Sequence, residues 1–254
     1  MKNLKGALAS EFIGTAILVF FGDAVVATAI LFGAYQGQWQ PSVLWGLTVM
    51  GACYVVGAVS GAHINPAVTL ANALFRKFGW MKAIYYWIAQ MAGGFAGAAL
   101  LHAVISPVLN AKGLDATTAR IFSCFPGEGV TTLSAFGWEV MLTLFLVLVI
   151  LGISDAAADG PKFGLGTVVV GGMVALLVGI GGPWTMASMN PARDLGPRLW
   201  MLVAGWGDTA LGNGYWWVPV VGPLVGGGVI AGLVYDYVIH PFIPSVMEKG
   251  KKAA

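Results

Sequence analysis

Six apolar runs, at residues 7–32, 41–59, 84–108, 134–153, 164–182 and 216–239, leave this chain few possible folds. A helix crosses the hydrocarbon core of a bilayer with ~20 apolar residues, and each run meets or approaches that length. Within lipid only helices and closed barrels satisfy their own backbone. The runs are continuous and lack the period-two alternation of barrel strands, so an all-α membrane protein is predicted. Only 9% of the 254 residues are charged, against about a quarter in a soluble domain, too few to cover a water-facing surface. The first run follows Lys2 and Lys5 but is longer than the apolar part of a cleaved leader, so it reads as a retained span.

Between the second and third runs, segment 60–75 is too short to cross a membrane, and it begins Ser60-Gly61-Ala62-His63-Ile64-Asn65-Pro66-Ala67. After the fifth run a matching segment reads Thr185-Met186-Ala187-Ser188-Met189-Asn190-Pro191-Ala192-Arg193-Asp194 and continues to about residue 204. Pro is favoured at the first position of a helix and Asn just before it can cap. Each Asn-Pro-Ala therefore predicts the start of a half-length helix. One such string is an ordinary cap; two in matched positions of so apolar a chain call for a further reason.

The two halves repeat. Glu11 lies 54 residues before Asn65, and Glu139 lies 51 before Asn190. Each half is a span opened by Glu, a second span, a half-helix and a third span. The halves, about 1–108 and 134–240, are joined by a polar loop, 109–133, within one domain over 1–254. Three spans per half turn the second copy upside down. Inverted repeats with broken helices meeting at the midplane are a recurrent way to carry polar solutes. With six crossings both ends share a side. Lys2, Lys5, Arg76, Lys77, Lys82, Lys162, Lys249, Lys251 and Lys252 fall on it, and Lys112, Arg120, Arg193 and Arg198 on the other. That bias puts both termini in the cytoplasm of a multi-pass cell-membrane protein.

Half-helices entering from opposite faces aim their unpaired N–H groups and positive dipole ends at each other. Asn65 and Asn190 supply two amide donors there, and the carbonyls of Gly61, Ala62, His63, Met186, Ala187 and Ser188 supply acceptors. Such a path suits neutral hydrogen-bonding solutes and opposes cations. Arg193 follows the second motif; a charge at that depth marks a pathway by default, the alternative being a structural ion pair. Glu11 and Glu139, at equivalent positions, are expected to hold the N–H groups of the re-entrant loops rather than to relay protons. Asp23, deep in the first span, either lines the vestibule or pairs between helices. His102 is expected to be a satisfied interhelical residue. The pairs Gly93/Gly97, Gly222/Gly226 and Gly228/Gly232 have the small-residue spacing of close helix contacts.

Cys53, in a span, and Cys124, in the polar loop, are not expected to form a disulfide. No nucleophile–base set and no metal-ligand spacing lies at one depth, so neither a catalytic role, a cofactor nor a metal is expected. The net charge of +2 without a basic–aromatic cluster gives no footprint for nucleic acid.

The doubled Asn-Pro-Ala with Glu11 and Glu139 resembles the major intrinsic protein family, the aquaporins and glycerol facilitators, over the whole chain. That resemblance implies six spans and two re-entrant half-helices, a pore in each protomer, a homotetramer, and Asp194 as a structural support. It also implies selectivity by diameter, lining groups and electrostatic barriers, for which aquaporin-type pores are the usual illustration. Asp194 and Arg198 after Arg193, Pro219-Val220 in the last span, and Trp45-Gly46-Leu47 in the second resemble the glycerol-facilitator branch. The outer filter implied by the family falls on Trp45, Val178, Ala187 and Arg193. Ala187 stands where bacterial glycerol facilitators carry an aromatic, and Val178 where they carry Gly; the set resembles that of plant nodulin-like intrinsic proteins. A wider filter is expected unless Met186 or Trp184 leans in.

The implied activity is passive passage of glycerol, other small uncharged solutes and some water, without ions or protons. The widened filter extends the expectation to urea, dihydroxyacetone or undissociated lactic acid. A secondary active transporter is the main alternative; an intramembrane enzyme and an adhesive junction protein are weaker ones.

Overall fold

The computed structural model describes residues 3–158 and 164–244. Among the basic residues used above to orient the chain, Lys2, Lys162, Lys249, Lys251 and Lys252 lie outside the described residues. Among the described residues six helices are long and apolar enough to cross a membrane: α1 (Leu4–Phe32), α2 (Trp39–Ser60), α4 (Trp80–Lys112), α6 (Thr132–Ser154), α7 (Leu165–Thr185) and α9 (Gly207–Phe242). Two shorter helices, α3 (Pro66–Phe75) and α8 (Pro191–Ala204), start at the two Pro residues of the repeated motif. A helix of about two turns, α5 (Ala116–Phe122), completes the set among the described residues. The last span is irregular: the 3-10 turns at Gly207–Trp217 are broken by left-handed Gly212, Asn213 and Gly214, and π turns follow at Leu224–Ile230 and Tyr235–Ile239.

The packing repeats as the sequence does. Helix α1 packs on α4 and α2, as α6 packs on α9 and α7. Helices α2 and α7 meet each other across the pseudo-symmetry axis, and each half-helix packs on the third span of the opposite repeat, α8 on α4 and α3 on α9. Glycine makes these approaches possible. A Cβ on Gly93 or Gly97 would collide with α1 backbone carbonyls, and one on Gly226 with the carbonyl of Val140 in α6. Gly228 and Gly232 admit Leu70 and Phe75 of α3. Arg76, at the end of α3, binds Asp236 of α9 at 2.7 Å. His102 accepts from Trp200 Nε1 at 3.1 Å, linking α4 to α8 as an interhelical partner. Large apolar side chains such as Phe21, Val55, Ile88 and Val104 stay exposed on the outer surface, where lipid rather than water is the solvent.

Two expectations need revision. Span three runs beyond 84–108 at both ends, to Trp80 and Lys112. Lys82 fits inside its first turn because the ammonium sits 4.5 Å from the Phe78 ring centroid and 5.2 Å from that of Tyr86, an aromatic seat that lets a lysine stem run along apolar surface. The segment 109–133 is not simply a polar loop. Asp115 caps α5, accepting from Thr117 and Thr118 N–H at 2.8 and 2.9 Å. The Thr118 N–H, then that of Thr117, holds the Asp115 carboxyl below the usual carboxylate range. From the end of α5 the chain dives inward, burying Ile121 and Phe122 of its last turn and then Ser123 and Cys124 completely. Cys53 and Cys124 are both free.

Candidate functional site

The two half-helices meet end to end through their caps. Asn65 Oδ1 accepts from Ala67 N–H at 2.9 Å, and Asn190 Oδ1 accepts from Ala192 and Arg193 N–H at 3.0 and 3.2 Å. Each amide nitrogen then crosses to the other repeat: Asn65 Nδ2 donates to Met189 O and Asn190 Nδ2 to Ile64 O, both at 2.8 Å. An amide carries two N–H donors. One is used in the reciprocal pair, and the other remains for a molecule in the lumen that both side chains line.

The loops leading into the caps share one unusual backbone. Gly61, Ala62 and Ile64 have φ of 89°, 48° and 39°; Met186, Ala187 and Met189 have 61°, 51° and 51°. Non-glycine residues in this left-handed region cost of order 1–3 kcal/mol each and persist only where surroundings hold them. Here the holding groups are polar and duplicated. Glu11 accepts from His63 and Ile64 N–H at 3.0 and 2.7 Å; Glu139 accepts from Ser188 and Met189 N–H, both at 2.9 Å. Ser60 Oγ takes Ala62 N–H at 3.0 Å, and Thr185 Oγ1 takes Ala187 N–H at 3.1 Å.

Six N–H groups are thereby drawn into the protein. In a planar trans peptide the carbonyl preceding each N–H points the opposite way. Those carbonyls belong to Gly61, Ala62, His63, Met186, Ala187 and Ser188, the residues proposed from sequence as acceptors; Ala62, His63, Ala187 and Ser188 line the lumen, Gly61 lines the adjoining cavity, and Met186 lines neither. Cys124 Sγ approaches the Met186 oxygen at 3.7 Å. Gln90, not singled out from sequence, completes the first buttress by donating to Glu11 at 2.7 Å and to Thr69 at 2.9 Å. A glutamine inside an apolar span was the available signal.

One turn further along, Trp45, Val178, Ala187 and Arg193 come together, each under one-tenth exposed, around the same narrow lumen of about 70 Å³. The Arg193 guanidinium lies 4.6 Å from the Trp45 ring centroid, and Nη1 donates to Phe122 O at 3.2 Å. Its Nη2 is 3.3 Å from Asp23 Oδ1, which places Asp23 as an interhelical partner. A Cβ at Gly22 would overlap the Trp45 indole, so that glycine seats the ring. Asp194 binds Arg198 at 2.5 Å and accepts Cys124 N–H at 2.7 Å, while Arg198 also donates to Ala210 O at 2.8 Å and to Cys124 O. These bonds explain the buried 121–124 stretch: it delivers carbonyls to two buried guanidinium groups. Backbone acceptors have no residue-type signature, which is why the roles of Phe122 and Cys124 were not legible in sequence.

A model of the major intrinsic protein family matches residues 1–235. The chain belongs to that family. It is 36% identical over 257 residues to the glycerol uptake facilitator protein of Escherichia coli strain K12, covering 96% of this chain and 91% of that protein. Human aquaporin-9 is 40% identical over 262 residues, with 96% and 88% covered. The X-ray structure of the aquaglyceroporin from Plasmodium falciparum superposes with a TM-score of 0.86 at 31% identity, covering 94% of this chain and 98% of that one. Major intrinsic proteins are channels and not enzymes. Within this fold neither Met186 nor Trp184 lines the lumen among the described residues. Trp184 instead stacks on Trp138 with centroids 5.1 Å apart, leaving the space beside Ala187 unfilled by either.

Proposed function

We propose that the chain is a passive channel of the cell membrane for glycerol and other small uncharged solutes, water among them, with both termini cytoplasmic and four copies per assembly. The observation that carries this reading is the reciprocal bonding of Asn65 Nδ2 to Met189 O and of Asn190 Nδ2 to Ile64 O, between six inward-anchored peptides. Together they offer a single-file solute one donor pair flanked by acceptors, with apolar walls elsewhere. A polyol lays its C–H face on Trp45 and gives its hydroxyls to Arg193 and the carbonyls. Cations meet two helix N-termini at the centre.

Ala187 leaves room for bulkier neutral molecules, so urea, dihydroxyacetone and undissociated lactic acid are included. Coupled transport is disfavoured by where the acids are: Glu11 and Glu139 are spent on backbone N–H groups, Asp23 faces Arg193, and no carboxylate lines the lumen among the described residues. Stopped-flow light scattering on proteoliposomes tests the reading. Glycerol flux should follow the glycerol gradient alone; dependence on a proton or sodium gradient would sink it. Native mass measurement in mild detergent should give four copies.

A further inference from the structure

One buried carboxylate beside the lumen lies outside the repeated pattern and sits against a guanidinium. Two guanidinium groups, Arg193 and Arg198, are buried side by side in α8. Arg198 is engaged at every nitrogen: Nε holds Asp194 at 2.5 Å, Nη1 donates to Ala210 O and Nη2 to Cys124 O. Arg193 has a neutral acceptor in Phe122 O and an aromatic face in Trp45. Among the described residues the one carboxylate within ion-pair distance of it is Asp23, fully buried in α1, with Oδ1 3.3 Å from Nη2. Neither Asp23 oxygen has a hydrogen-bond partner among the described residues, so the contact is an ion pair without hydrogen-bond alignment. Asp23 does not line the lumen, whereas Arg193 does. A buried carboxylate that no other donor satisfies is costly unless a cation compensates it.

We infer that Asp23 is a specificity-positioning residue: acting through Arg193 from behind the filter, it cancels the guanidinium's net charge while leaving its N–H donors to the solute. The filter is then a neutral hydrogen-bond donor instead of an electropositive ring. Exclusion of cations falls to the helix N-termini at Asn65 and Asn190, and anions are not drawn to the mouth. Solutes are sorted there by shape and hydrogen bonding. This inference rests on the reading of Arg193 as part of the filter.

The test compares permanently charged probes with a neutral one in proteoliposomes: nitrate and guanidinium flux, each divided by glycerol flux, for wild type, D23N, D23E, R193Q and D23N/R193Q. In D23N the unmasked guanidinium should raise the nitrate ratio at least about tenfold, the scale of one unit charge a few ångströms away at a partly wet site. Glycerol flux should stay within about threefold and D23E should match wild type. In R193Q the uncompensated carboxylate should raise the guanidinium ratio by a similar factor, and adding D23N should return it. If D23N does not reach the membrane, D23S serves in its place.

Unchanged ratios in D23N with altered ratios in R193Q would overturn the inference and leave the filter reading intact, because a protonated or merely structural Asp23 behaves like Asn. Ratios unmoved in R193Q would instead remove Arg193 from the filter. Failure of both D23N and D23S to fold while D23E folds would make Asp23 a folding residue and also overturn it.

Discussion

The two mouths of the pathway are built from equivalent positions and come out differently. Asn65 and Asn190 are 125 residues apart, and the same spacing relates Gly46 to Gly171, which face each other across α2 and α7. Carried through the filter, it pairs Trp45 with Val170, Val178 with Cys53, Ala187 with Ala62 and Arg193 with Val68. All four partners line the lumen at its opposite end, where it meets a vestibule of about 500 Å³. One mouth has an indole and a buried guanidinium; the other has two valines, a thiol and a methyl group. Between them Glu11 matches Glu139, Ser60 matches Thr185 and Asn65 matches Asn190 in every bond they make to the loops. On the proposed reading, symmetry builds the path and its breaking at one mouth gives the path a preference.

The largest effects should come from the symmetric part and should be equal in the two repeats. Removing either carboxylate leaves two buried N–H groups without acceptors beside three left-handed residues, at a cost of about 3–5 kcal/mol. E11A and E139A should each cut glycerol flux per reconstituted protein at least about tenfold and lower the thermal midpoint by similar amounts. A large effect in one repeat alone would break the equivalence. A middle-sized effect belongs to the opposite mouth. Cys53 lines both lumen and vestibule, whereas Cys124 is fully buried. A bulky thiol reagent should slow glycerol flux by about threefold to tenfold, and C53S should abolish the slowing while C124S does not.

The smallest effect concerns the loop behind the filter. The folded Asp115 carboxyl titrates below its unfolded value, so its cap is fully present above the ordinary carboxylate range and is lost as pH falls through the lower, folded value. Hydrogen exchange of the Thr117 and Thr118 amides should quicken on acidification into that window. In D115N the same amides should exchange without that pH step.

Much of this was legible in the chain because it rests on residue types that mean little else in a membrane. Glu11 and Glu139 at matched depth, Asn-Pro-Ala twice, and runs of bilayer length fix the bundle and the midplane. Glycine pairs marked close helix contacts without naming the partner helix, and the Gly46–Gly171 approach has no intrahelical spacing to betray it. The Asp23 alternative stayed open because a span's sequence does not say which face meets α8. Segment 109–133 misled for a related reason. Its charges mark a loop, yet the buried work is done by the carbonyls of Phe122 and Cys124, which any residue could provide.

The central claim is that the Arg193 mouth, not the asparagine pair, decides what passes. The same substitution at both mouths tests it, since Ala187 and Ala62 share the left-handed backbone and are related by the repeat. Dihydroxyacetone-to-water permeability ratios should be measured in proteoliposomes for wild type, A187F and A62F. The ratio should fall at least about tenfold in A187F, with water flux within about threefold of wild type, and by less than about threefold in A62F. Equal loss of every flux in A187F, or an equal fall of the ratio in A62F, would contradict it.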